Sequence, residues 1–277
     1  MRIATIAVGA LALASSAAAQ DAAIEPTVFD GDYLSVGALA AYGPTYAGSD
    51  DYTVYPVPLV QGSFHGVAID PRSGGLALDF IPDPADGLGF NLGVAGRVRL
   101  DRAHRIKDPV VRSLGKLDTA VELGPTAGVT IPHLLNAYDS LTLGTDVLWD
   151  VAGAHKGMVV DPAVTYFTPL SRGIAASLSL SAEYADSKFA DYYYTITPAG
   201  SLASGLPVFD AGSGFTRAGA NVLLGFDLDG NLANGGLAVV AVGGYSRMLG
   251  DARRSPVTSV RGSANQWLAA LGIGFTF

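Results

Sequence analysis

The chain of 277 residues has no cysteine, little charge and, after its first twenty residues, no long apolar run. Without cysteine there can be no disulfides, thiolate metal sites or Cys nucleophile. Charged residues make up 15%, against roughly 25% in an ordinary soluble domain. That argues against an average cytosolic enzyme. Spanning helices need about 20 consecutive apolar residues, so a helical membrane protein is excluded too. What the chain has instead is 49% hydrophobic residues and 35 glycines. The glycines follow no Gly-X-Y period, and they sit beside aromatic and β-branched residues, so collagen and simple disorder both fail.

Met1 and Arg2 form a short positive start, Ile3 to Leu13 an apolar stretch, and Ala17, Ala18 and Ala19 an Ala-x-Ala end. This is the pattern of a secretory signal peptide over 1–19, cleaved before Gln20. Cleavage removes one of the 17 basic residues and leaves 16 against 25 acidic ones, a net charge of −9. Nothing resembles a basic face with interleaved aromatics, so no nucleic acid is expected as a partner.

The mature sequence alternates with the two-residue period of a β-strand. From Trp267 the odd positions are Trp267, Ala269, Leu271, Ile273, Phe275 and Phe277; the even ones include Ala270, Gly272, Gly274 and Thr276. Over 88–101, Leu88, Phe90, Leu92, Val94, Val98 and Leu100 oppose Asn91, Arg97, Arg99 and Asp101. A soluble sandwich would carry Lys, Glu and Arg on its outer faces, and these charges are missing. In a membrane barrel the apolar face meets lipid while small or polar residues fill the lumen, and all backbone groups pair around the ring.

The expected fold is an all-β, transmembrane, antiparallel up-and-down barrel over 33–277, after a periplasmic segment at 20–32. Strands are expected at 33–42, 54–63, 66–70, 75–81, 88–100, 117–131, 139–151, 157–167, 173–185, 214–228, 236–249 and 264–277. That gives twelve, or ten if the short third and fourth are part of a long turn. With both termini periplasmic, the loops 43–53, 101–116, 186–213 and 250–263 fall outside, and the connectors 168–173 and 227–236 inside.

Asp118, Glu122, Asp146, Asp150, Glu183, Asp227 and Asp229 face inward in this register, with Arg97 and Arg99. They suit a lumen network of forked arginines, or a narrow cation-preferring pore. A rim hydrolase is a third reading, with His104 and His155 in outer loops beside Asp101 and Asp150, although no catalytic set is complete in the sequence. No His-x-x-x-His or Glu-x-x-His spacing marks a metal site, and no catalytic, cofactor or metal residue is assigned. Arg102, Arg105, Lys107, Arg112 and Lys116 crowd one outer loop and suit lipopolysaccharide phosphates. Tyr192, Tyr193 and Tyr194 suit an interface belt, an external hairpin or an inward plug.

The stretch 36–60, through Pro44, Tyr46, Gly48, Ser49, Tyr52, Pro56 and Pro58, resembles the opening of the MltA-interacting protein / OmpV family of Gram-negative outer-membrane proteins. The segment 117–129 is similar to that family's acidic central strand. The segment 245–277, with Leu249, Gly250, Asp251, Ser255, Pro256 and Phe277, is similar to its closing hairpin. Arg253 and Arg254 depart from the acidic residue expected before Ser-Pro. The resemblance implies an outer-membrane location and a non-enzymatic scaffold joining a lytic transglycosylase to a penicillin-binding protein. It brings no catalytic residues or cofactor, and it implies that the barrel assembly machinery recognises Phe277.

Overall fold

A computed structural model describes residues 27–277 except 83, 85 and 86; the signal peptide expected at 1–19 lies outside the described residues. Among those residues, twelve antiparallel strands close into a single barrel in which each strand pairs with its sequence neighbours and β1 pairs with β12. They are β1 (Tyr33–Pro44), β2 (Tyr52–Phe64), β3 (Val67–Arg72), β4 (Gly75–Asp79), β5 (Gly89–Arg99) and β6 (Ala120–Pro132), then β7 (Ser140–Asp150), β8 (Met158–Ser171), β9 (Ile174–Ala185), β10 (Gly214–Asp227), β11 (Gly236–Met248) and β12 (Asn265–Thr276). The short third and fourth strands are separate, so the count is twelve, not ten. No described helix is long and apolar enough to cross a membrane, which has no bearing on spanning strands.

The alternation in sequence becomes inside and outside. Phe90, Leu92, Val94 and Val98 of β5, and Trp267, Leu271, Ile273 and Phe275 of β12, are all exposed on the outer surface. Ala77, Ala95 and Leu148 pack together inside. Exposed aromatics form two girdles: Tyr42, Trp149, Phe215 and Trp267 toward the long loops, and Phe64, Phe90, Phe275 and Phe277 toward the short turns. An apolar band between aromatic belts is the outer surface of a membrane barrel.

Two devices set the register. The β2–β3 turn places His65 and Gly66 at φ 50° and 80°, the two positive values that a tight type I′ hairpin needs. At the closing seam, a Cβ on Gly272 would sit 2.1 Å from the Ala38 carbonyl oxygen. Glycine therefore lets β1 and β12 approach.

The long loops are not hairpin extensions. They carry α1 (Pro109–Ser113), α2 (Ser187–Tyr194), α3 (Pro198–Ser204), α4 (Gly250–Arg254) and α5 (Pro256–Ser259). Asp186 caps α2 by accepting from the Phe189 amide at 2.9 Å. The helix buries Phe189, Ala190, Tyr193 and Tyr194 against Val159 of β8, Ala185 of β9, Met248 of β11 and Ala252 of α4. Of the three arrangements open to the tyrosines, the structure has the inward plug. A second cluster, formed by Tyr46, Ile106, Val111, Ile196, Leu206 and Val257, ties the outer loops together above it.

Candidate functional site

Directly beneath α2 lies a cluster of charges that crosses the lumen. Strand β5 contributes Arg97 and Arg99, β6 Glu122, β8 Asp161, β9 Glu183 and β10 Arg217. Arg99 donates through Nε to Glu122 at 2.7 Å and through Nη2 to Glu183 at 2.8 Å. Arg97 bonds Glu122 and reaches Asp161 at 2.7 Å. Glu183 also accepts from Arg217 at 2.9 Å and from the Thr216 hydroxyl at 2.6 Å. The Glu122 side chain is fully buried, as is His155. Burying such charges is costly unless each is paired and hydrogen-bonded, and here one carboxylate serves several guanidinium groups. A second brace, Arg72 of β3 to Asp146 of β7 at 2.9 Å, lies nearer the turn end.

The plug is built onto this cluster. The Arg99 guanidinium lies 4.7 Å from the centre of the Phe189 ring and 5.9 Å from that of Tyr193, so its cation–π contacts join α2 to the barrel wall. His155 packs edge-on to Phe189 at 5.0 Å. Its Nδ1 accepts from the Gly157 amide at 3.1 Å, which places the ring proton on Nε2 for donation to Glu122 at 3.1 Å. With both nitrogens occupied, the ring has no lone pair to take a proton from a hydroxyl. The sequence puts His155 in an outer loop beside Asp150; that loop folds inward, and the buried histidine is a structural brace.

Of the seven acidic residues expected inside, Glu122, Glu183 and Asp146 are in the lumen. Asp118 is exposed ahead of β6. Asp150 caps the β7–β8 loop, accepting from Ala152 and Lys156 amides at 3.0 and 2.9 Å. Asp227 accepts from the Asp229 and Asn231 amides at 3.0 Å, and exposed Asp229 accepts from the Asn231 amide and the Asn234 side chain at 3.0 Å, so both hold the β10–β11 turn. Sequence reading missed Asp161, Arg217 and Arg72. Asp161 sits opposite Asp146 in the β7–β8 register, a signal that strand pairing would have given. A bulge between Phe215 and Arg217 hides the arginine's parity.

Four of the five basic residues of loop 101–116 direct donors at backbone carbonyls: Arg102 at Tyr193, Arg105 at Val54, Lys107 at Tyr52 and Arg112 at Ile106 and Lys107. In the same loop Asp108 caps α1 through the Val110 and Val111 amides at 2.8 and 2.9 Å and takes a two-pronged bond from Arg261 at 2.6 and 3.0 Å. Burial pushes its carboxyl up, but the Arg261 guanidinium and the two amides outweigh burial and hold it below the usual aspartate range. A depressed folded value means that the contact is fully stabilising above the unfolded value of about 3.9 and fades as acid titrates through the lower folded value. Hydrogen exchange of residues 106–114 is therefore expected to stay slow down to about pH 4 and to accelerate below it. Acceleration that begins near neutrality would contradict the assignment.

Residues 36–277 match the family model described as MltA-interacting protein MipA. Among solved structures, the CymD monoaromatic hydrocarbon channel is similar at 10% identity over 89% of this chain and 88% of that one, with a TM-score of 0.40. The outer-membrane expressed OmpT of Vibrio cholerae is similar at 8% identity over 89% and 97%, with a TM-score of 0.35. Likenesses this distant bear on neither ligand nor activity. No curated protein matches the sequence. The family model spans β1 through β12, plug included, and the chain belongs to the MltA-interacting protein MipA family.

Proposed function

We propose that the protein sits in the outer membrane as a plugged, non-enzymatic barrel and acts as a scaffold for murein-remodelling enzymes, holding a lytic transglycosylase and a penicillin-binding protein near each other. The observation that carries this reading is α2 sealed onto the ion cluster, with Phe189 and Tyr193 closing over Arg99. A barrel stoppered at its loop end is suited to presenting a surface, and the family's name supplies the lytic transglycosylase MltA as the partner class. The short turns, and the water-accessible end of the lumen beside them, face the compartment where such enzymes work. Outer-leaflet lipid and lipopolysaccharide surround the apolar band in this reading.

The test is crosslinking in intact envelopes followed by identification of the captured proteins, with conductance of the purified barrel measured in parallel. Capture of a lytic transglycosylase by an electrically silent barrel supports the scaffold. Steady conductance without any murein enzyme captured would replace it by the cation-preferring channel.

Phe277 provides a separate check. Its side chain is 66% exposed, its ring lies 4.8 Å from that of Phe275, and its amide donates to the Leu34 carbonyl at 3.0 Å. Little of the folded barrel depends on the ring. Phe277→Ser is expected to reduce the amount of assembled barrel in cells while leaving the unfolding midpoint of protein refolded in detergent nearly unchanged. A large drop in that midpoint would make the residue structural instead of an assembly signal.

A further inference from the structure

The barrel wall is not evenly zipped. β2 pairs with β1 along its whole length, from Tyr33–Ser63 to Pro44–Tyr52. On its other side it meets β3 only at Gly62–Ile69, Ser63–Ala68 and Phe64–Val67. Extending that register would set Val60 opposite Pro71 and Pro58 opposite Ser73. The Tyr52 and Val54 carbonyls accept from Lys107 at 2.5 Å and Arg105 at 3.3 Å, so the even positions of β2 aim their backbone groups away from β1. The β1–β2 register is unbroken, and Pro56, Pro58 and Val60 therefore share that direction. Proline has no N–H, and strands tolerate it only where the ladder is absent. The Pro71 carbonyl is occupied by the guanidinium of Arg72 at 3.3 Å. Prolines thus stand on both sides of the seam where ladder bonds would form.

This seam lies between the aromatic girdles, with Tyr52 packed on Tyr42 at one end of β2 and exposed Phe64 at the other. On the lumen side, Tyr55 of β2 borders a cavity of about 160 Å³ whose other walls include Asp101 of the outer loop, Arg217 of β10, Ser246 and Met248 of β11 and Gln266 of β12. Its two charged groups are already engaged: Arg217 holds Glu183 at 2.9 Å, and Asp101 accepts from the Ala47 amide at 2.9 Å and from Arg99 at 3.4 Å. The space has polar walls and balanced charge, which suits a neutral hydroxyl-bearing group over a bare ion. In lipid an open strand edge is tolerated only where protein, water or a ligand covers it.

We infer that the β2–β3 seam is a lateral portal through which the cavity behind Tyr55 takes a single-chain amphiphile with a neutral hydroxyl headgroup, its acyl chain lying along the proline-bearing edge. This rests on the membrane placement proposed above. The test uses the full-length mature chain in phospholipid vesicles containing a monoacylglycerol with a diazirine near its headgroup. After irradiation, adducts are mapped by mass spectrometry. Adducts on Tyr55, Ser246 or Met248 that disappear with excess unlabelled monoacylglycerol, beside unchanged adducts on outward residues such as Leu92 and Leu271, are the expected result. Adducts only on outward residues would overturn the portal while leaving the membrane placement intact; none anywhere would overturn both. Because the chain lacks cysteine, Val60→Cys and Pro71→Cys can be joined by oxidation or by a short bis-maleimide. The join is expected to abolish the inward adducts, and inward labelling that persists after it would refute the seam as the route.

Discussion

Replacing Ser187–Tyr194 by a short Gly-Ser linker is expected to turn an electrically silent barrel into one with resolved conductance steps. The helix is the part of the loop layer that reaches into the barrel mouth: Phe189 and Tyr193 cover Arg99, and Tyr194 is buried beside them. Its removal takes away cation–π contacts worth about 0.5–2 kcal/mol each together with the apolar contacts to Val159, Ala185 and Met248. The wall does not depend on it. All twelve strand pairings lie outside the helix, and Glu122 and Glu183 keep their arginines without it. What opens is a lumen with Asp146, Asp161, Glu122 and Glu183 along its wall beside Arg72, Arg97, Arg99 and Arg217, a lining of balanced charge that gives little ion selectivity. The measurement is single-channel recording in a planar bilayer, with the reversal potential taken in a salt gradient. Leu202→Ser in α3 is the control, since that side chain is 90% exposed and its loss should leave the barrel silent. If the excised barrel is silent too, the ion cluster itself is the seal.

Sequence alternation carried most of the architecture. The outward set from Leu88 to Leu100 and from Trp267 to Phe277 was legible because one face had to be apolar along the whole strand, and a slip of one residue would have reversed every side chain. The interior was legible only in part. Glu183 and Arg99 are 84 positions apart, and no local pattern pairs them. α2 was missed because Tyr192 to Thr195 looks β-prone, although Asp186, three residues before Phe189, is an ordinary helix cap. Pro56 and Pro58 were noticed as marks of family resemblance; their direction at an unpaired edge needed the register. Asp118, Asp150, Asp227 and Asp229 were misplaced because alternation was carried to the strand ends and beyond them, where loops and turns use carboxylates as caps.

Glu183→Leu is expected to be the most damaging single change, lowering stability by about 3–5 kcal/mol, the usual cost of stranding buried partners of opposite charge. Glu183 accepts from Arg99, Arg217 and Thr216, and Arg97 lies 3.7 Å away. Its side chain is only 3% exposed, so water cannot replace it. With leucine there, three guanidinium groups share Glu122, Asp161 and Asp101, and the Arg99 group under Phe189 loses one of its two short carboxylate bonds. The measurement is the urea midpoint of the barrel folded in detergent, read alongside hydrogen exchange of 187–194. Glu183→Gln keeps an acceptor but removes the charge, and should fall between wild type and leucine. Arg217→Met added to Glu183→Leu removes one stranded cation and should recover part of the loss, because coupled sites are not additive. Without that recovery, the loss in Glu183→Leu would come from packing instead of charge. Recovery of stability without recovery of exchange protection would separate the two roles of the cluster, since the wall would again be sound while α2 remained detached from it.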